Sequence, residues 1–181
     1  MRIIGGKYRG KKLFSPQNLN VRPTSDRARE AVFNILYSCL PMDWSEYCLL
    51  DLFAGTGAFS LEAISRGVNK VTMIDINPLT LKKNASLFPN EKDKIKIITA
   101  DASRLGRSFQ QYNLVFMDAP YNKGLSELAL VSLVENNWLE KDAICVVETE
   151  CKESLAYPHN FELIGERLYG IAKIRFLKYL G

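Results

Sequence analysis

Asp51-Leu52-Phe53-Ala54-Gly55-Thr56-Gly57 is the stretch on which the fold turns. It closes an apolar, strand-like run from Cys48 to Phe53. It runs straight into Ala58 to Arg66, whose spacing predicts a helix ended by Gly67. A glycine-rich turn between a strand and a helix lets the backbone bend tightly and approach a ligand closely, with free helix N–H groups behind it. Outward from this unit the chain keeps alternating. Strands are predicted over Lys70 to Asp75, Ile95 to Ala100, Asn113 to Asp118 and Ala143 to Glu148. Helices are predicted over Pro78 to Phe88, Ser103 to Gln110 (a weaker pattern) and Ser126 to Asn136. Phe161 to Tyr169 and Ile171 to Leu177, separated by Gly170, read as a closing antiparallel hairpin. Strands alternating with helices give a mostly parallel sheet of seven strands, covered on both faces.

Four strands end in, or run into, an acid: Asp51, Asp75, Asp101 and Asp118. A parallel sheet brings the C-terminal ends of its strands to one edge, where ligands bind at the topological switch point. Four carboxylates there repel one another, so a cationic or hydroxyl-rich ligand fits and an exposed pyrophosphate fits poorly. Asp75 follows Gly57 by 18 residues, the distance expected for an acid that accepts from ribose hydroxyls. Position 60, where the dinucleotide fingerprint has its third glycine, is Ser60, which counts against a dinucleotide oxidoreductase.

These features resemble the Rossmann-like class I S-adenosylmethionine-dependent methyltransferases. The resemblance implies that Asp51, Phe53 and the Gly55-Thr56-Gly57 loop hold the methionine part of the cofactor. It implies Asp75, with Ile76, at the ribose, Asp101, with Ala102, at the adenine, and Asp118 at the cofactor's reacting end. Asp118-Ala119-Pro120-Tyr121 is similar to the [DN]-P-P-[YF] signature of enzymes that methylate planar nitrogens, with alanine where proline is usual. It implies catalytic roles for Asp118, Pro120 and Tyr121: acceptors for the N–H groups of the target amine and an aromatic face for the base.

The N-terminus carries a second signal. Residues 1–29 hold eight basic side chains and one acid, while the rest of the chain holds 16 basic and 19 acidic, within a net charge of +4. Segregation of this kind points to a polyanion. Glycines punctuate the basic stretch from Arg2 to Phe14, which reads as a small hairpin or arm. After Arg22-Pro23, Thr24 or Ser25 can cap a helix whose apolar face is Ala28, Ala31, Val32, Ile35 and Leu36, ended by Pro41. The stretches Arg2 to Leu13 and Arg22 to Asn34 resemble the RsmD family, which methylates guanine N2 in bacterial 16S ribosomal RNA. The resemblance implies that Lys7, Arg9, Lys11, Lys12, Arg22, Arg27 and Arg29 contact RNA phosphates. The expected division is residues 1–40 as an RNA-contacting extension and 41–181 as the methyltransferase domain.

Composition bounds the rest. The chain has 181 residues, 47% of them apolar and 24% charged, an ordinary globular balance. No apolar run approaches the roughly 20 residues that span a bilayer, and no secretory leader is expected. Four cysteines without C-x-x-C spacing and a lone His159 give no metal-ligand pattern, so neither a metal nor a disulfide is expected. A cytoplasmic monomer acting on 16S rRNA, or on an assembling small subunit, is the expectation. Two alternatives stay open: a non-enzymatic RNA-binding or ribosome-assembly factor on the same fold, and a methyltransferase of DNA adenine or protein glutamine.

Overall fold

β-branched and aliphatic side chains in unbroken runs make strands that are buried on both faces. In the computed structural model, which describes residues 1–15, 26–40 and 43–181, those runs form one seven-stranded sheet. In chain order the elements are α1 (Asp26–Cys39), β1 (Cys48–Leu52), α2 (Ala58–Ser65), β2 (Lys70–Asp75), α3 (Leu79–Ala85), β3 (Ile95–Thr99), β4 (Tyr112–Asp118), α4 (Leu125–Glu135), β5 (Leu139–Glu150), β6 (Phe161–Tyr169) and β7 (Ala172–Tyr179). The strand order is β3-β2-β1-β4-β5-β7-β6. The first five strands pair in parallel, and β7 runs antiparallel between β5 and β6. The chain leaves β1 toward β2 and β3 and then returns to place β4 on the other side of β1. The switch point therefore lies between β1 and β4.

Two apolar cores cover the sheet. On one face Val32, Phe33 and Leu36 of α1, Phe59 of α2 and Leu81 of α3 pack on Leu49, Met73, Leu114 and Phe116. Here Phe33, Phe59 and Phe116 form a continuous stack, with ring centroids 4.6 and 3.7 Å apart. On the other face Ala129, Leu130 and Leu133 of α4 pack on Leu50, Leu52, Val115, Met117 and Val147.

One expected element is absent. Residues 103–110 form turns and irregular backbone, not a helix. Partners from α4 and the segment after it replace the helical ladder. Ser132 Oγ accepts from the Leu105 N–H at 2.9 Å, the Asn136 carbonyl accepts from the Ser108 N–H, and Trp138 Nε1 donates to the Gly106 carbonyl. With Leu105 also buried in the core, these contacts outweigh a weak helical preference. The cap expected at Thr24 or Ser25 and the stop at Pro41 lie outside the described residues.

The basic arm does form a small hairpin, with an antiparallel bridge between Arg2 and Lys12. It is bound to the body through buried polar groups. Glu62 of α2, wholly buried, accepts the backbone N–H groups of Ile4 and Gly5 at 2.7 and 2.8 Å and the Arg66 Nε at 2.7 Å. Ser65 accepts the Tyr8 N–H and donates to the Gly5 carbonyl. At Gly6, with φ of +74°, a Cβ would lie 1.8 Å from the Ser65 carbonyl oxygen, so the close approach of arm to helix requires glycine. Ile3, Leu13, Leu61 and Phe88 close a third, smaller core beneath the arm.

Arg29, expected among the phosphate-contacting cations, belongs to this junction instead. It is 1% exposed, and its Nη2 donates to the Arg2 carbonyl at 2.6 Å and to Asp26 at 3.0 Å. Its Nε lies 3.9 Å from Glu62. Apolar spacing alone places Arg29 off the core face of α1, but it is buried at the border of that face, one residue after Ala28 and three before Val32, where the carboxylates of Asp26 and Glu62 offset its charge.

Candidate active site

Register places the acids. Leu52, the last residue of β1, pairs with Ile74 on one side and Met117 on the other. Asp75 and Asp118 therefore lie one residue past that level on the two flanking strands, and Asp51 lies one residue before it. Asp75 pairs with Thr99, so Asp101 lies two residues farther along the same edge. Four separate strands thus deliver four carboxylates around the Gly55-Thr56-Gly57 turn.

The turn is held open by its own chemistry. Phe53 takes a φ of +58°, an uncommon conformation for an aromatic side chain, which swings the chain out of β1. The Gly55 N–H then donates to Asp75 at 2.7 Å, and the other Asp75 oxygen accepts from the Asn77 N–H at 2.7 Å. Each carboxylate oxygen keeps a second lone pair for a ligand hydroxyl. Gly57 has a φ of +73°, and a Cβ there would lie 2.5 Å from Leu81 and 3.1 Å from the Met73 sulfur. Glycine at this position is what lets α2 start directly on the sheet.

Asp51 is fully buried and accepts the Ser60 hydroxyl at 2.7 Å. This contact gives Ser60, where a third glycine would otherwise stand, a physical function. Burial pushes the Asp51 carboxyl up to about 7; the hydrogen bonds from Ser60 oppose the rise, and the charges of Asp118 and Asp75 add to it. Asp101 behaves oppositely. It is exposed, and hydrogen bonds from the hydroxyl and N–H of Ser103 hold it below the usual carboxylate range. Ala102 beside it is buried, while Ile76, at 74% exposure, stands out in solvent next to Asp75.

The Asp118-Ala119-Pro120-Tyr121 loop leaves β4 at the same edge. Ala119 is buried, Pro120 is exposed and Tyr121 is partly buried. The Tyr121 hydroxyl donates to Glu148 at 3.0 Å, and Asn122 Nδ2 donates to Glu150 at 2.6 Å. Glu148 pairs with Asp118 across β4 and β5, so a fifth acid joins the edge. The strand pattern over 143–148 puts an acid at a strand end there as well, but no motif in the sequence ties Glu148 to the other four.

The arm reaches the same place. Asn84 of α3, wholly buried, donates to the carbonyls of Thr56 and Phe14 and accepts from the Phe14 N–H. Thr56 also donates to the Met1 sulfur at 3.8 Å. The arm's outer end is thereby tied to the glycine turn. Arg9, Lys12 and Arg27 are exposed, and Lys11 lies over the rings of Tyr8 and Phe88. Lys7 is engaged with Glu91 at 2.8 Å; that contact, aided by Tyr8, pulls the Glu91 carboxyl down to about 2. Arg22 lies outside the described residues.

The geometry can bind a cation with hydroxyl groups above β1 and β2 and can present carbonyl and carboxylate acceptors beside an aromatic ring above β4. Among the described residues, no group of histidine, cysteine, aspartate and glutamate has the arrangement of a metal site. No helix among them is long and apolar enough to cross a membrane.

Comparison with known proteins agrees with this reading. The family model described as Conserved hypothetical protein 95 matches residues 1–178. Ribosomal RNA small subunit methyltransferase D of Haemophilus influenzae is 35% identical, covering 97% of this chain and 92% of its own length. Its namesake from Escherichia coli strain K12 is 37% identical over 94% of this chain and 85% of its own. The solved structure of yhhF from Escherichia coli superposes with a TM-score of 0.81 at 32% identity, covering 100% of this chain and 98% of that one. A fold, an acid-lined switch point and relatives that agree from end to end lead to one assignment: the chain belongs to the family of ribosomal RNA small subunit methyltransferase D.

Proposed function

We propose that this protein transfers a methyl group from S-adenosylmethionine to the exocyclic N2 of a guanine in 16S ribosomal RNA, in the cytoplasm, as a monomer. The observation that carries the reading is the placement of Asp75 and Asp118 on either side of the glycine turn, each one residue past the level of Leu52. The donor set fits the cofactor, whose ammonium and sulfonium charges suit a carboxylate edge and whose ribose hydroxyls suit the free lone pairs of Asp75. When bound, the cofactor supplies an activated methyl group. Asp51, Phe53 and the Gly55-Thr56-Gly57 turn hold its methionine part, Asp75 and Ile76 its ribose, and Asp101 and Ala102 its adenine.

Asp118 and the carbonyl of Ala119 or Pro120 accept the N–H groups of the guanine amine and aim its lone pair at the methyl carbon. The base is flipped from its stack onto the face of Tyr121. As the amine nitrogen bonds to the methyl carbon, the carbon–sulfur bond would break and its electron pair would leave with the neutral thioether; Asp118 would favour the positive charge on the nitrogen and take the surplus proton. No covalent enzyme intermediate is required. The test is complementation: in a bacterial strain lacking its own enzyme of this type, expression of this chain restores N2-methylguanosine to 16S RNA. RNA that stays unmethylated contradicts the assignment.

Two consequences follow from the site's electrostatics. An apo Asp51 carboxyl at about 7 is mostly protonated at pH 6 and mostly ionised at pH 8. A cationic ligand selects the ionised form, so cofactor affinity should rise about tenfold between those pH values. Calorimetry across pH checks this, and Asp51→Asn should remove the slope. For the apo protein the sign reverses. The folded state holds a proton that the unfolded chain releases, so Asp51 costs stability as pH rises from about 4 to about 7.

The second consequence concerns RNA. With Arg29 buried, the phosphate-contacting set reduces to Lys7, Arg9, Lys11, Lys12, Arg27 and Arg22. If about five of these neutralise phosphates, RNA affinity should fall with salt at a log–log slope of about −3.5 to −4.5. Charge removal at Arg9 or Lys12 should lower the slope by about one each, whereas a slope near zero would take the arm out of RNA binding.

A further inference from the structure

We propose that Glu148 is a positioning residue for methyl transfer, acting through Tyr121; the proposal rests on the function given above. Glu148 lies near the end of β5, between Asp118 on β4 and Ile174 on β7, and is 3% exposed. Its immediate predecessors, Val146 and Val147, are the apolar residues expected on an inner strand. A carboxylate at such a place is costly to bury unless hydrogen bonds compensate it.

Glu148 Oε1 accepts the Tyr121 hydroxyl at 3.0 Å. Two residues on, Glu150 accepts Asn122 Nδ2 at 2.6 Å, and Asn122 has a φ of +58°. The two residues that follow Pro120 are thus both held from one strand. The restraint falls where the loop lacks one of its own, because Ala119 does not fix its φ as a proline would. The Tyr121 ring has two side-chain torsions, and fixing the far hydroxyl sets the plane on which the base stacks. Glu148 touches no reacting atom in this account. It fixes the ring, the ring fixes the base, and the base amine is thereby held in line for attack.

The test uses the full chain, small ribosomal subunits lacking the modification, and labelled S-adenosylmethionine. Tyr121→Phe and Glu148→Ala should each lower kcat about tenfold or more, the size of one hydrogen bond to a charged group. Cofactor affinity by calorimetry should stay at the wild-type value. The double variant should lose no more than the worse single one, and Glu148→Gln, which keeps an acceptor, should recover most of the loss. Multiplying losses, a wild-type rate for Tyr121→Phe, or a loss confined to cofactor affinity would overturn the proposal.

Fluorotyrosine NMR reads the contact without substrate. The resonance assigned by its loss in Tyr121→Phe should move in Glu148→Gln, and an unmoved resonance overturns the coupling. A wild-type protein that labels no RNA while the resonance moves overturns the parent function, and the proposal with it, but leaves the contact standing.

Discussion

Asp118→Ala should slow methyl transfer by about 10²–10³-fold while S-adenosylmethionine still binds. In the mechanism proposed above the carboxylate is the charged acceptor at the point where the amine gains positive charge, so its interaction would strengthen along the reaction. Removing one such preorganised group lowers kcat by about 10²–10³-fold in other enzymes. Cofactor affinity should change little, because Asp51, Asp75 and Asp101 lie on other strands and keep their own partners: Ser60, Gly55 with Asn77, and Ser103. Asp118→Asn is the informative companion, since it keeps the shape and one acceptor but loses the charge. It should fall between the wild type and alanine. Single-turnover rates with saturating cofactor measure the effect directly. An alanine variant at wild-type rate would remove Asp118 from the chemistry.

Glu62→Ala should be the most destabilising single change in the junction between arm and body. Glu62 is wholly buried and accepts from two backbone N–H groups and Arg66, with the buried Arg29 beside it. Its removal leaves those N–H groups without their acceptor and takes from the buried Arg29 one of its two carboxylate neighbours, Asp26 being the other. Breaking a buried ion pair from one side costs about 3–5 kcal/mol. For a chain of this size that corresponds to a fall in Tm of roughly 6–20 °C. Because the arm is also tied to the glycine turn through Asn84, the same variant should weaken RNA binding before it unfolds. Calorimetric melting and a salt-dependent binding assay separate the two effects. A Tm within a degree of wild type would show that the arm is not held by Glu62.

Both predictions depend on residues that differed in how plainly the sequence announced them. The sheet was legible because its strands are short apolar runs bounded by glycine, proline or acid. Lys70 to Asp75 and Phe161 to Tyr169 form as their patterns predict. The acid edge was legible for the same reason: each carboxylate stands at a strand's end, and a parallel sheet aligns such ends. The segment 103–110 was not, because its backbone is satisfied by Ser132 and Asn136, side and main chain that local periodicity does not register.

The junction was hidden more deeply. Arg29 reads as one more cation in a basic stretch, and nothing in the helical pattern from Ala58 to Arg66 sets Glu62 apart. Their meeting spans 33 positions, and the bonds from Ile4 and Gly5 to Glu62 span 58 and 57. Ser60 and Glu148 show the same limit at the site itself. Each was visible as a residue type, but its partner, Asp51 or Tyr121, becomes evident only when the strands are side by side.

Methyl transfer itself is the most direct measurement of what this protein does. The purified chain would be given tritiated S-adenosylmethionine and small ribosomal subunits from a strain lacking the modification, and the RNA digested to nucleosides and separated. Label is expected in N2-methylguanosine from 16S RNA, and far less of it with Asp118→Ala. Label in another nucleoside, or in no RNA at all from a protein that binds the cofactor, would contradict the proposed function.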